Sequence, residues 1–317
     1  MSDTLFPAGL IVDRPDLTIE MMQHYAKMWN IEHTQLGKGV FNGSLLGVHT
    51  PRIQIGISHY SQGIMTTGDF PDGCVLLHYS VNDMKNDPLY NFHNRSILPH
   101  EVLMLTQSEG YDRMTYSSGD MDTIAIKEDL FYKEFYAFFG EAASLKNKRF
   151  YLKQDKVSLF HQIIVSWISY LINEFPKLTV KPQYDKIESE ILRQLFDCIV
   201  PAPLLKKRKK FQTKVVRDIL HENIANDIDI STITSELNIK SSQLHNAFKK
   251  EYGITPKKYL QTLRYNAIRK VLLLSDPSSV SIEEVASKYK IFHMSHFSAQ
   301  YKNIFGETPS QTLHHHK

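Results

Sequence analysis

The 317-residue chain is poor in cysteine. Cys74 and Cys198 are too few for a disulfide framework and sit in no metal-type cluster, which fits a reducing compartment. Long hydrophobic runs are also missing. The most apolar stretch, Val157 to Phe175, is interrupted by His161, Gln162, Ser166, Ser169 and Asn173, so no membrane span is expected. Asp3, Asp13 and Asp16 lie where a secretory signal would carry basic residues and an apolar run, and a cytoplasmic protein is expected. The chain lacks a Gly-rich phosphate loop and a Gly-x-Ser-x-Gly elbow. Asp69, Asp72 and Glu101 show no paired acid–base spacing. No catalytic residue, metal or cofactor is therefore expected.

Charge is present but unevenly placed. The formal net charge is +3, yet residues 206–317 hold 19 Lys+Arg against 10 Asp+Glu, while residues 1–205 hold 18 against 24. A swing of this size marks the C-terminal part as the one that meets a polyanion.

The first half alternates short β-like runs with turn residues. Ser44–His49, Arg52–Tyr60, Cys74–Val81, Glu101–Thr106 and Met121–Ile126 read as strands, with turns at Pro71-Asp72-Gly73 and Asp87-Pro88. Such spacing predicts an antiparallel sandwich or small barrel, preceded by a helix over Thr18 to His33. Beyond Lys127 the period becomes helical. Phe160, Ile163, Ile164, Trp167, Ile168, Leu171 and Phe175 form one stripe, broken at Pro176 and Pro182. Ile187, Ile191, Leu192, Leu195, Phe196 and Ile199 form a second. Two fates are open for the first stripe: burial against the domain's own sheet, or a homodimer interface through Ile164, Trp167, Ile168 and Leu171. Pro201-Ala202-Pro203 and the basic run Lys206 to Lys210 then mark a boundary. The expected domains are 1–200, a linker over 201–210, and 211–317.

The last third repeats itself. Leu244-x-x-x-Phe248-x-x-x-Tyr252-Gly253-Ile254-Thr255-Pro256 recurs as Phe297-x-x-x-Tyr301-x-x-x-Phe305-Gly306-Glu307-Thr308-Pro309, 53 residues later. Upstream, Ile230-x-x-Ile233-Thr234 recurs as Ile282-x-x-Val285-Ala286 at an offset of 52. Each copy reads as a support helix, a turn and a second helix closing at glycine. This is a tandem of helix-turn-helix units aimed at double-stranded DNA. Ser241 to Tyr252 and Met294 to Phe305 are the recognition helices. Their outward residues at the start, Ser242, His245 and Asn246 in the first and Met294, Ser295, Ser298 and Ala299 in the second, are expected to face bases. Lys249 and Lys302, one turn on, should meet phosphate, with Arg264 and Lys207 as further backbone contacts. Thr255-Pro256 opens a connector helix to Leu274, about 28 Å long at 1.5 Å per residue, with Tyr259, Leu260, Leu263, Ala267, Val271 and Leu274 as its buried stripe. That length suits two recognition helices in successive major grooves.

These residues closely resemble the AraC/XylS family of transcription regulators, from about Lys214 to Leu313. The resemblance implies an all-α DNA-binding domain of two helix-turn-helix units joined by a long helix. It also implies an activator, for which RNA polymerase is an expected partner. Lys240 and His293 depart from the Ser or Asp with which the family often caps its recognition helices. Gln35-Leu36-Gly37-Lys38-Gly39-Val40-Phe41-Asn42-Gly43 resembles the sensor half of the branch that includes the ethanolamine-operon regulator. This implies a cupin-like β domain that dimerises and binds a small effector. The whole is thus expected to be a multidomain α+β protein. Tyr60, His78 and Tyr79 are the candidate ligand-binding residues. Two rival readings are an N-terminal half that only dimerises or docks a protein, and a cupin-type metalloenzyme fused to a DNA-binding domain. Metal cupins use a His-x-His pair with a following carboxylate. Here His49, His59, His78, His93 and His100 form no such pair, so they read as ordinary strand and loop histidines.

Overall fold

The computed structural model describes residues 4–314 apart from 10, 27, 82–89, 94, 99, 116, 142, 146–147, 175–180 and 203–212. The chain opens with β1 (Ile11–Leu17), α1 (Ile19–Tyr25) and β2 (Asn30–Gln35). Then come β3 (Gly43–His49), β4 (Ile53–Tyr60), β5 (Ile64–Asp69), β6 (Cys74–Ser80), β7 (Tyr90–Phe92), β8 (Arg95–Ile97), β9 (Glu101–Thr106), β10 (Tyr111–Thr115) and β11 (Gly119–Lys127). The domain finishes with α2 (Glu128–Phe139), β12 (Arg149–Leu152), α3 (Val157–Glu174), α4 (Lys181–Asp197) and β13 (Ile199–Pro201). The helix expected over Thr18 to His33 is corrected. The Thr18 hydroxyl caps α1 by accepting from the Met21 amide, but the helix ends at Ala26, and residues 30–35 pair with β5. Ile31 and His33 alternate toward the interior there, a period of two that a helix cannot use.

Two antiparallel sheets face each other. The larger runs β1-β3-β4-β11-β6-β9-β12-β13, the smaller β2-β5-β10-β7-β8. The larger sheet is covered on both faces, which is why β6 reads as a continuous apolar run. Val75, Leu77 and Tyr79 point to the helical layer, while Cys74 and Leu76 point to the small sheet. The helical layer settles the fate of the first stripe. Phe160, Ile164, Ile168 and Leu171 of α3 are buried in one cluster with Ile191, Leu192, Leu195 and Phe196 of α4. Ile164, Ile168 and Leu171 thus have no surface to offer a second chain, and the dimer assignment is corrected for them. Trp167 is half-buried against the same cluster, with its indole donating to Gln194. Ile199 belongs to a strand rather than to the second stripe, because β13 pairs with β12. The same pairing holds Pro201 in the sheet and draws Ala202 to Arg149, so the linker expected from 201 begins later. The basic run 206–210, with Lys207, and the Asp87-Pro88 turn lie outside the described residues.

The C-terminal domain comprises α5 (Thr213–Glu222), α6 (Ile230–Glu236), α7 (Ser241–Tyr252), α8 (Pro256–Leu274), α9 (Ile282–Lys288), α10 (Met294–Phe305) and α11 (Pro309–Leu313). It packs on the outer face of the small sheet. Met65 of β5 and Met114 of β10 share a buried cluster with Val216, Leu244, Phe248 and Tyr259. Arg217 of α5 grips both carboxylate oxygens of Asp112 at 2.7 Å. The Asn266 amide exchanges two hydrogen bonds of 3.0 Å with the backbone of Gln35. At the far end Gly39 donates to the carbonyls of Asn303 and Ile304, which ends α10 against the loop before β3. Gly306 sits here at φ +77°, where a Cβ would lie 2.3 Å from Val40 Cγ2, so glycine both closes the helix and permits the contact.

Candidate nucleic-acid interface

The two repeats form two helix-turn-helix units at the expected boundaries. In the first, Ile233 of α6 and Leu244, Phe248 and Tyr252 of α7 are buried, with the Phe248 and Tyr252 rings 4.3 Å apart. In the second, Val285 and Ala286 of α9 meet Phe297, Tyr301 and Phe305 of α10, with the Tyr301 and Phe305 rings at 4.6 Å. The turns match as well. Asn238 (φ 50°) and Lys290 (φ 61°) are both left-handed, 52 residues apart. Asparagine tolerates that region and lysine is strained in it.

Helix α8 joins the units, capped by the Thr255 hydroxyl accepting from the Lys258 amide. Its burial differs from the single stripe expected. Tyr259, Leu260 and Leu263 enter the core of the first unit, whereas Tyr265, Ile268 and Leu272 enter that of the second. Because the units lie on different sides of the helix, the apolar face rotates along it. Ala267 and Val271 are half-buried and Leu274 is 81% exposed.

Ser242, His245, Asn246 and Lys249 are all exposed on α7, as are Ser295, Ala299 and Lys302 on α10. Ser298 is half-buried, and Met294 turns partly into the second unit's core, which reduces what it can offer to a base. Neither recognition helix has a side-chain cap, since Lys240 and His293 occupy the cap positions. Their first-turn amides are left for another acceptor. His296, exposed beside Ser295, was missed from sequence, although the 53-residue offset maps it onto the exposed Gln243. Hydrogen bonds tie Arg217, Tyr259, Asn266, Lys270, Ile304 and, at the end of α7, Glu251 to the small sheet, and none of them involves the outward residues at the start of α7 or α10.

Arg264, expected as a phosphate contact, has a structural part in the fold. Its Nε and Nη2 donate to the carbonyls of Ile224 and Asn226 at 2.9 and 2.7 Å, bracing the α5–α6 loop. Arg264→Ala is expected to cost about 1–3 kcal/mol of stability, because two carbonyls lose their donors. It should leave the salt dependence of DNA binding unchanged. A reduced salt slope with unaltered urea stability would return Arg264 to the DNA.

The sandwich holds a partly open cavity of about 280 Å³ between the two sheets beside α1, lined by Trp29, His33, His49, Tyr60, Thr66 and Tyr111 among others. Of the three candidate ligand residues, Tyr60 lines it and the other two do not. His78 is buried between the rings of Phe92 and Tyr111, and Tyr79 packs on Phe160 in the helical layer. Neighbours on a strand point to opposite faces, so His78 and Tyr79 cannot share one cavity. The remaining histidines are dispersed: His59 pairs with Asp120 at 2.6 Å, and His49 meets Gln54.

A family model described as a helix-turn-helix domain matches residues 233–315. The XylDLEGF operon transcriptional activator of Pseudomonas putida is 30% identical over 136 residues, 42% of this chain and 41% of that protein. The Msm operon regulatory protein of Streptococcus mutans is 29% identical over 96 residues, covering 30% of this chain and 34% of the relative. The chain thus spans about two fifths of the length of the first of these. Among solved structures, the AraC-like activator CuxR is 14% identical, with 88% of this chain and 100% of that one covered at a TM-score of 0.41. ToxT from Vibrio cholerae O395 is 12% identical over 90% and 97%, at 0.29. Residues 233–315 of this chain thus belong to a helix-turn-helix domain.

Proposed function

We propose that the protein is a sequence-specific, effector-responsive transcription activator that sets α7 and α10 into successive major grooves of DNA. The observation that carries this is the pair of exposed recognition faces fixed on one connector helix, in the part of the chain with the basic charge excess. The activator sense follows the names of the relatives. In this reading RNA polymerase is a partner and the β domain is the sensor. A homodimer would use surfaces other than the buried α3 stripe.

Binding of the full chain to genomic sites tests the reading. Asn246→Ala and His245→Ala are each expected to weaken the specific site by about 1–3 kcal/mol, with little effect on random DNA. Lys249→Ala should weaken both about equally, since a phosphate contact carries no sequence information. Equal losses for all three variants would mean the recognition face is misplaced. A chain that retards no genomic fragment, even at low salt, would remove the DNA-binding claim.

A further inference from the structure

The cavity in the sandwich is unusual in its polar groups. The half that contains it is acidic, yet no Asp or Glu occurs among the described residues that line it. Its walls are apolar, from Ile11, Met28, Trp29, Leu46 and Ile57, and its polar lining consists of the Arg14 cation at one side and of hydroxyls, an amide and imidazoles that can each donate.

Arg113 lies directly behind the wall. Its side chain is on β10, 1% exposed, with the guanidinium carbon 4.7 Å from the centre of the Tyr60 ring. Nη2 donates to the Thr66 hydroxyl at 3.2 Å and Nη1 to the Met121 thioether at 2.6 Å. Nε has no hydrogen-bond partner, and among the described residues no carboxylate pairs with this cation. A buried guanidinium normally comes with an anion, because burying a charge unpaired costs several kcal/mol. Thr66 in turn contacts His33 Nδ1 at 2.9 Å, and both residues line the cavity. Burial first, then Arg113, holds His33 far below the usual imidazole range, at about 3, so it is a neutral hydrogen-bonding group. On the other side His49 is 2% exposed. It takes the Gln54 amide at Nε2 (2.7 Å), which leaves its proton on Nδ1, and that atom has no partner.

We propose that this cavity binds a small organic carboxylate with an apolar body, its charge set against the Arg113–Thr66–His33 side and its body against Trp29 and Leu46. The proposal rests on the sensor role given to the β domain above and names the chemical class of the effector. The size suits a small guest, since about 280 Å³ is just below the range of ordinary ligand pockets. A neutral ligand of the same shape would leave the guanidinium as it stands, whereas an anion beside Thr66 and Tyr60 brings it a counter-charge across the wall.

The test uses the full chain and two acids, octanoate and 4-butylbenzoate, each against its primary amide. At least one acid should raise the melting temperature and bind tenfold or more tighter than its amide by calorimetry. Arg113→Met should erase that preference and raise the melting temperature of the unliganded protein, since it removes an unpaired buried charge. Arg113→Lys should retain the preference. Amides binding as well as acids, a preference that survives Arg113→Met, or no binding by either acid would each overturn the proposal. DNA retardation by the unliganded chain, measured in parallel, separates the two readings. A silent panel with intact retardation overturns the ligand class alone.

Discussion

Asp112→Ala is expected to cost about 3 kcal/mol in urea denaturation, towards the lower end of the range for breaking a buried ion pair. Arg217 is nearly buried, and hydrogen bonding to Asp112 holds it protonated, although burial opposes this. Without the carboxylate, a cation is left between the β domain and the DNA-binding domain with, among the described residues, the more exposed Asp218 as its remaining ion-pair partner. The double variant Asp112→Leu/Arg217→Met should recover most of the loss, since an apolar pair of similar volume replaces two desolvated charges. The outcome also reports on the interface, because Met65, Met114 and Tyr259 pack beside the pair. A loss below about 0.5 kcal/mol would mean that the two domains part readily and the contact is worth no more than a surface ion pair.

The second large effect concerns α3. Ile164→Lys puts a charge into a site that is 1% exposed, among Phe160, Ile168 and Leu192. The buried ammonium plus the lost apolar contacts should exceed about 5 kcal/mol, a large share of a domain's usual margin. The variant should be insoluble or unfolded. Tyr170→Lys on the same helix, where the side chain is 45% exposed, should remain soluble and folded. A soluble, folded Ile164→Lys monomer would restore the interface reading that the core position contradicts.

The helical half was legible because each repeat carries its own punctuation. Thr255-Pro256 and Gly253 fix the ends of α8 and α7, and spacing of four along Leu244, Phe248 and Tyr252 defines one inward face. In the β half, Cys74–Ser80 and Glu101–Thr106 were legible from their apolar runs. β2 and β10 were not, because each carries polar residues on both faces. Glu32 reaches Lys270 while His33 lines the cavity, and Asp112 reaches Arg217 while Arg113 points inward. Alternation of apolar and polar residues, the usual sign of a strand, vanishes when both faces hold built polar contacts. α5 went unread for a similar reason, since it is short and its Arg217 is an interior residue with the composition of a surface one. The fate of the first stripe stays open in the sequence because periodicity shows that a face is buried but not what buries it.

The small sheet is one layer thick between two occupants. On β5, Thr66 belongs to the cavity and Met65 to the DNA-binding domain; on β10, Arg113 and the pair Asp112 and Met114 divide in the same way. In the proposed reading, a guest that shifted Arg113 would act, through a single peptide unit, on the residue that anchors α5. Thermodynamic linkage makes such coupling reciprocal. If an acid in the cavity changes the affinity for an operator by some factor, the operator changes the affinity for the acid by the same factor. The protein's response is then a property of the strand itself, readable from either side by titrating one partner in the presence of the other.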